Sequence, residues 1–332
     1  MWSEGLIGHA SLMARIAGLM ARQRLPHALL LTGPAGVGKS LAAVAIAAAH
    51  LCVKQGCGSC SCCKRVAGGV HPDFHTLAPE TNRSGILIGQ TRDLMAALAT
   101  KPYEGSGQVA LIDPADRMNT EAQNAFLKTL EEPAAGTLII LVSSRPDRLL
   151  STVQSRCQQF RFKRLHDSEM EDFSSQNPEI DDRFPRTLAT GCPGRLVTLL
   201  ESRAERTRAL IADYLASPAS PSSVRMTIDL MEWCRVDGEP QEMRRRIKVF
   251  FDMVLTFLRD LIILGLCGNE DLVWNHDLLP RLREAEGRHD PILLLQAYGS
   301  MLDAYADLES NVDPGLVVES AALLLKKTRY NN

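Results

Sequence analysis

The segment Gly33-Pro34-Ala35-Gly36-Val37-Gly38-Lys39-Ser40 constrains this chain more than any other. It fits G-x-x-x-x-G-K-[ST], and its flanks are in register with it. A strand-like run, His-Ala-Leu-Leu-Leu-Thr at 27–32, precedes it, and an Ala-rich helical stretch at 40–51 follows. Small residues let backbone N–H groups close around phosphate oxygens, and the following helix adds the positive end of its dipole. Lys39 is placed to reach the β- and γ-phosphates of a nucleotide, and Ser40 to hold Mg²⁺. The plain alternative is a Gly-rich turn that binds nothing. The register of strand, loop and helix opposes it as a reading of the fold, and less so as a reading of occupancy.

The rest of the first half follows from that start. Further strand-length apolar runs fall at 74–77, 109–112 and 138–142, with a weaker one at 159–162. Helical patterns at 89–99 and 120–132 lie among them. This alternation predicts an α/β domain, a parallel sheet with helices on both faces. Thr120 and Gln123 read as a capping box opening the second of these helices, and Pro133 stops it. Beyond Lys163 a charged, Ser- and Asp-rich stretch with Gly-Cys-Pro-Gly at 191–194 has room for two or three short helices. From Ala204 onward Leu, Ile, Val and Met recur at helical spacing, so an all-helical bundle is expected.

Composition narrows the function classes. Lys and Arg number 37 against 39 Asp and Glu, a net charge of −2, which excludes a polybasic nucleic-acid coat. Aromatics at 5% argue against a stacking platform for single strands. Glu4, His9 and Arg15 interrupt what would have to be a signal core, and the apolar stretch 41–53 is too short to span a bilayer. The expectation is a soluble, cytoplasmic protein with no membrane partner. No carboxylate constellation for nucleotidyl transfer is evident.

A phosphate loop needs a carboxylate from another strand tip to hold Mg²⁺, and Val-Ala-Leu-Ile-Asp113 supplies it. Hydrolytic members of this class carry a water-orienting Glu next; here the residue is Pro114, and Asp116, a partial substitute, lies three positions beyond Asp113. Nucleotide binding is therefore expected, with intrinsic ATPase weak or absent. The run 138–142 ends in Ser143-Ser144, hydroxyls where a γ-phosphate sensor would sit, or simply a polar strand end.

Five of the nine cysteines fall between Cys52 and Cys63. Cys52-x4-Cys57-x2-Cys60-x2-Cys63 offers four thiolates to one tetrahedral Zn²⁺ with no open position, hence a structural ion. Buried free thiols and a redox dithiol are the alternatives. Regular spacing selects Cys63 over Cys62, and an exchange of those two stays open. Ser155-Arg156-Cys157 stands beyond the Ser143 strand on the side away from the chain's own phosphate loop. An arginine so placed suits the γ-phosphate of a neighbouring subunit, a finger supplied in trans; a solvated surface charge is the ordinary alternative.

Taken together, these residues resemble the AAA+ clamp-loader subunits of bacterial DNA polymerase III, specifically the delta-prime type. The resemblance is carried by Leu25-Pro-His-Ala28, the phosphate loop, the cysteine cluster inserted after its helix and Val70-His-Pro-Asp-Phe74. It continues through Asn124-Ala-Phe-Leu-Lys-Thr-Leu-Glu-Glu-Pro133, Arg148-Leu-Leu150 and Ser155-Arg-Cys157, about the first 160 residues in order. It implies an AAA+ domain over 1–163 with a zinc module at 52–63, a helical lid over 164–205 and a helical collar for oligomerisation over 206–332.

It also implies a ring-like hetero-oligomer with tau/gamma and delta subunits that places a sliding clamp on primed DNA. This chain would be the stationary member, with Arg156 as its finger. Zinc falls on Cys52, Cys57, Cys60 and Cys63, and ATP with Mg²⁺ on residues 33–40, Asp113 and Ser143. The resemblance assigns no task to Lys128, Glu131 or Glu132. Arg195, after Pro193-Gly194, is not in clear register with the nucleotide-sensing lid arginine of hydrolytic relatives. Two other readings stand beside this one: a tau/gamma-type ATPase motor, and a zinc-stabilised scaffold that binds no nucleotide. Arg244, Arg245, Arg246 and Lys248 form one basic run, better read as a solvated helix face than as a DNA contact.

Overall fold

Five strands, β1 (Ala28–Thr32), β2 (Phe74–Leu77), β3 (Gln108–Ile112), β4 (Thr137–Ser143) and β5 (Gln158–Arg161), form one sheet in the order β2-β3-β4-β1-β5, every pair parallel. The computed structural model describes residues 6–80, 85–105, 107–181, 186–217, 223–234, 240–307 and 313–329. All five residues of β1, all five of β3 and all seven of β4 are buried. That is what a parallel sheet covered on both faces requires, and it is why these strands read as unbroken apolar runs instead of alternating ones.

The helices of this first half are α1 (Ala10–Ala21), α2 (Lys39–Leu51), α3 (Ser61–Ala67), α4 (Ile88–Leu98), α5 (Thr120–Glu131) and α6 (Ser151–Gln154). Ala28, Leu30, Ala110, Ile112, Ile139 and Leu141 point to one face, where Leu94, Leu98, Phe126, Leu130 and Val153 of α4, α5 and α6 join them. The alternate residues Leu29, Leu31, Val109, Leu111 and Ile140 are equally buried on the other face. α2 packs there, its Ala42, Ala43, Ile46 and Ala47 fully sequestered. The expected α/β architecture is present, with β4 longer at both ends and β5 one residue earlier than the sequence pattern placed them.

The cap of α5 differs from expectation. Asn119, not Thr120, is the N-cap, its side chain accepting from Ala122 N at 2.8 Å. Gln123 is correspondingly released from a capping box. Its amide donates to Met118 O at 3.0 Å and Arg148 O at 3.3 Å, and its oxygen accepts Leu150 N at 2.7 Å. Asn119 has the extended backbone of a cap residue, and Gln123 is left to tie α5 to the segment that leads into α6.

The chain divides into two compact units: residues 1–173 with 191–194, and residues 174–190 with 195–332. Helix α7 (Asp167–Gln176) crosses the first of these divisions. The second unit is helical: α8 (Pro178–Asp181), α9 (Gly194–Glu201, whose first residue belongs to the first unit), α10 (Glu205–Ala216), α11 (Ser223–Cys234), α12 (Pro240–Cys267), α13 (Leu279–Glu286), α14 (Pro291–Asp307) and α15 (Pro314–Lys327). The 28-residue α12 runs along α14 and α13, and α11 packs on α15. The basic run on α12 is paired: Arg245 bonds Glu201 and Glu242, and Arg246 bonds Glu242 and the Trp233 carbonyl.

A polar knot lies inside this bundle. Asp260 is fully buried and accepts Trp274 N at 3.0 Å, Asn275 N at 2.8 Å and the Asn275 amide at 2.7 Å. Arg208 donates through Nε and Nη2 to Asn275 Oδ1 and reaches both oxygens of Asp277 at 2.6 Å. Arg259 pairs with Asp260 and stacks 3.9 Å from the Trp274 ring centre. Asp260→Ala removes the acceptor of Trp274 N, Asn275 N and the Asn275 amide. It is expected to lower stability by about 3–5 kcal/mol, read from the urea midpoint of the bundle's unfolding transition.

Candidate functional site

The carboxyl ends of β1, β3 and β4 lie side by side, so whatever follows those strands converges. Residues 33–40 follow β1. Gly33 stands at φ +143°, and a Cβ there would sit 2.3 Å from the Phe162 carbonyl, so only glycine fits the entry to the loop. Gly36 and Gly38 also have positive φ. The N-terminal segment lies against the loop: His9 Nε2 is 3.2 Å from Val37 O, and a Cβ on Gly38 would meet Leu6 at 2.7 Å. On another side Gly194 N donates to Gly36 O at 2.9 Å, close enough that a side chain at 194 would strike the Gly36 Cα.

Lys39 opens α2 with its ammonium turned into the loop, donating to Gly33 O at 2.8 Å and Pro34 O at 2.7 Å. Burial pulls its pKa down, against the carboxylates of Asp113 and Asp116, which push it up. Asp113 follows β3 and hydrogen-bonds the Ser40 hydroxyl; burial raises its carboxyl pKa, and Ser40 and Lys39 oppose that rise. Lys39, Ser40 and Asp113 are therefore gathered at one point, a donor set of cation, hydroxyl and carboxylate that fits a phosphate and a hard divalent ion.

Asp116 is otherwise engaged. It is buried, accepts the Ser143 hydroxyl at 2.6 Å and Ser144 N at 3.0 Å, and so closes the end of β4. Both bonds fall on Oδ1, so it is that oxygen which is tied to the end of β4. Ser143 is fully buried too, its hydroxyl proton given to Asp116 while its oxygen accepts Arg145 N at 3.1 Å.

The cysteine module follows α2. The sulfurs of Cys52, Cys57, Cys60 and Cys63 all lie within 4.8 Å of one another, and Cys52 and Cys60 are 3.7 Å apart. Four sulfurs ~2.3 Å from one tetrahedral ion stand ~3.8 Å apart, so this group could hold a metal ion. Left-handed residues Gln55, Gly56 and Gly58 fold the chain back between ligands. Backbone N–H groups of Cys60 and Ser59 draw the Cys57 thiol down to about 6. Burial pushes Cys63 up to about 12, the cost that a bound cation would offset. Cys62 is outside this group of sulfurs.

Beside this module the Val70–Phe74 motif acts as a clamp: Asp73, 1% exposed, accepts Tyr103 N at 2.5 Å and Glu104 N at 2.7 Å. Glu104 in turn pairs with Arg65 of α3.

Arg156 sits after α6, about one-third exposed. Its Nε donates to Glu131 Oε1 at 2.7 Å, its Nη2 bonds the same oxygen, and its Nη1 donates to Thr152 O at 2.9 Å. Glu131, for which sequence reasoning found no task, is thus the partner of the arginine; 25 residues separate them, and no local spacing announces the pair.

A family described as DNA polymerase III, delta subunit, matches residues 8–166, just under half of the chain. A DNA polymerase III subunit delta' from Pseudomonas aeruginosa is 43% identical over 145 residues, 42% of this chain and 44% of that protein. The alignment thus spans less than half the length of that relative. The delta' subunit of Bacillus subtilis is 28% identical over 98% of both chains. The tau subunit of Bacillus subtilis is 31% identical over 49% of this chain and 29% of its own length.

If one ion joins the four sulfurs, metal analysis of purified protein gives one equivalent per chain. Cys63→Ser is expected to lose it, and Cys62→Ser to retain it. Retention by Cys63→Ser would break the assignment of ligands.

Proposed function

Because the chain belongs to the family of bacterial DNA polymerase III delta' subunits, we propose that it works as the stationary subunit of a clamp loader. In this reading it joins tau/gamma- and delta-type subunits in a hetero-oligomer in the cytoplasm, through its helical second unit. It lends Arg156 to the ATP site of a neighbour while the assembly places a sliding clamp on primed DNA. Polymerase chemistry belongs to other chains of that holoenzyme. A cytoplasmic setting agrees with the finding that no helix among the described residues is long and apolar enough to cross a membrane.

The observation that carries the stationary role is the end of β3. Asp113 is supported by Ser40, Pro114 follows it without a side-chain base, and Asp116 gives its Oδ1 to Ser143 and Ser144. Residues 33–40 would hold ATP through backbone N–H groups, with Lys39 leaving the loop carbonyls for phosphate and Ser40 and Asp113 holding Mg²⁺. When bound, the nucleotide supplies negative charge that orders the loop. The residues that bind it here have no evident means of orienting an attacking water. The four cysteines are read as ligands of a structural Zn²⁺, stapling a short insertion that has little apolar core of its own.

One observation favours a second reading. Lys39, Ser40 and Asp113 are intact and together, as a tau-type ATPase motor needs.

The two readings make opposite demands on two substitutions in a loader reconstituted with partner subunits, clamp and primed DNA. Arg156→Ala is expected to reduce ATP turnover at the completed neighbouring site by about 10³-fold or more. Lys39→Ala should leave turnover close to wild type and abolish only nucleotide binding by this chain. A dominant loss from Lys39→Ala would make the subunit a motor. Failure of the unaltered chain to bind nucleotide in a titration would favour a scaffold.

A further inference from the structure

The guanidinium of Arg156 is held on two of its edges. An arginine has five N–H donors: one on Nε and two on each Nη. Nε and Nη2 both converge on Glu131 Oε1, which occupies the side edge of the fork, and Nη1 gives one hydrogen to Thr152 O. This leaves one hydrogen on each Nη. A side-on carboxylate and an end-on phosphate use different edges of the same planar group, so the first contact need not be given up to make the second.

We propose that Glu131 is a positioning residue for Arg156: it grips the Nε–Nη2 edge from the end of α5 and holds the outer fork ready for a phosphate of another subunit. The inference rests on the reading of Arg156 as a finger acting in trans.

Three further observations support it. First, Glu131 is anchored where a small displacement is resisted: its neighbour Leu130 is buried in the core under β1, β3 and β4. The Leu130 carbonyl also accepts from His27 Nε2 at 2.8 Å, fixing the end of α5 to the residue before β1. Second, the arginine is fastened on its own side by Thr152 O, while Gln154 of the same short helix donates to Pro146 O and Leu149 O, both at 2.9 Å. Arg156 is thus held from two elements, α5 and α6. Third, the pair is part exposed, with the arginine about one-third and the glutamate about one-half accessible. An ion pair so exposed adds little to stability, so its larger consequence is orientation. A long side chain with several rotamers would otherwise have to be ordered each time a phosphate arrived, and pre-paid ordering is what a positioned catalytic group contributes.

The test is a double-substitution cycle in the reconstituted loader, reading kcat and KM for ATP with clamp and primed DNA present. Glu131→Ala is expected to lower kcat about tenfold with KM little changed, because the group that binds the nucleotide is on the neighbour and only the finger is misplaced. Glu131→Gln keeps an acceptor oxygen at the same reach and should recover most of that loss. In an Arg156→Ala background, Glu131→Ala should add nothing further.

If Glu131→Ala leaves kcat unchanged or raises it while Arg156→Ala lowers it, Glu131 is not a positioning residue and the finger reading survives alone. Additive losses from the two substitutions would likewise overturn the inference, since they would give Glu131 a role independent of the arginine. If Arg156→Ala itself has no effect on turnover, both readings fall together. Thermal unfolding of each variant distinguishes these results from misfolding: substitutions at an exposed pair should keep the wild-type transition within a few degrees.

Discussion

Parallel pairing of β1 with β4 on one side and β5 on the other is the constraint from which the rest of the first unit follows. Parallel strands all end on the same side of the sheet, so residues that are far apart in sequence arrive together once the ladder order is set. Here that order brings the loop after β1, Asp113 after β3 and Ser143 at the end of β4 to one rim. The same ladder requires burial on both faces, which the continuous apolar strands and the Ala-rich α2 provide. The alanines of α2 let it lie close to the sheet, and its N-terminus opens directly onto the loop. Packing and phosphate geometry are therefore one requirement seen from two ends.

A second device recurs: a buried carboxylate that gathers backbone N–H groups. Asp73 takes those of Tyr103 and Glu104, Asp116 that of Ser144 together with the Ser143 hydroxyl, and Asp260 those of Trp274 and Asn275. In each case a segment leaving or joining a regular element obtains an acceptor for its backbone donors. The arrangement also disposes of a tempting inference from proximity. Asp116 lies near Lys39 and Asp113, yet its Oδ1 is taken up by the end of β4, so nearness to the phosphate loop does not by itself make it a base.

What could be read in the residues divides along the same physical line. The strands, the loop and α2 were legible because burial on both faces and the glycine spacing leave local signatures. The cysteine group was legible because its members are close in sequence, and the sulfurs of the four cysteines that regular spacing picks out lie together. The cap of α5 was misread by one residue because Asn119 and Thr120 are both good caps, and φ/ψ, not composition, selects between them. The partnership of Glu131 with Arg156 and the capture of Asp116 by Ser143 were not legible, since they join residues 25 and 27 positions apart on different elements. Pairs of that kind depend on how α5 and α6 lie on the sheet, and no periodicity encodes them.

An intact phosphate loop beside a missing base is coherent once binding and turnover are separated. The loop obtains its geometry from glycine conformations and from contacts with Leu6, His9 and Gly194, all of which hold whether or not water is ever activated. Hydrolysis adds a requirement on the residue after Asp113, and proline cannot meet it. A finger adds a different one, an arginine whose outer edge is presented in a fixed direction. Arg156, between α6 and β5 and held by Glu131 and Thr152, is the residue for which that role is proposed. On that proposal the subunit makes its catalytic contribution at a neighbour's nucleotide and not at its own. Its value to an assembly then lies in rigidity: each degree of freedom removed from Arg156 within this chain is one that a neighbour's transition state need not remove.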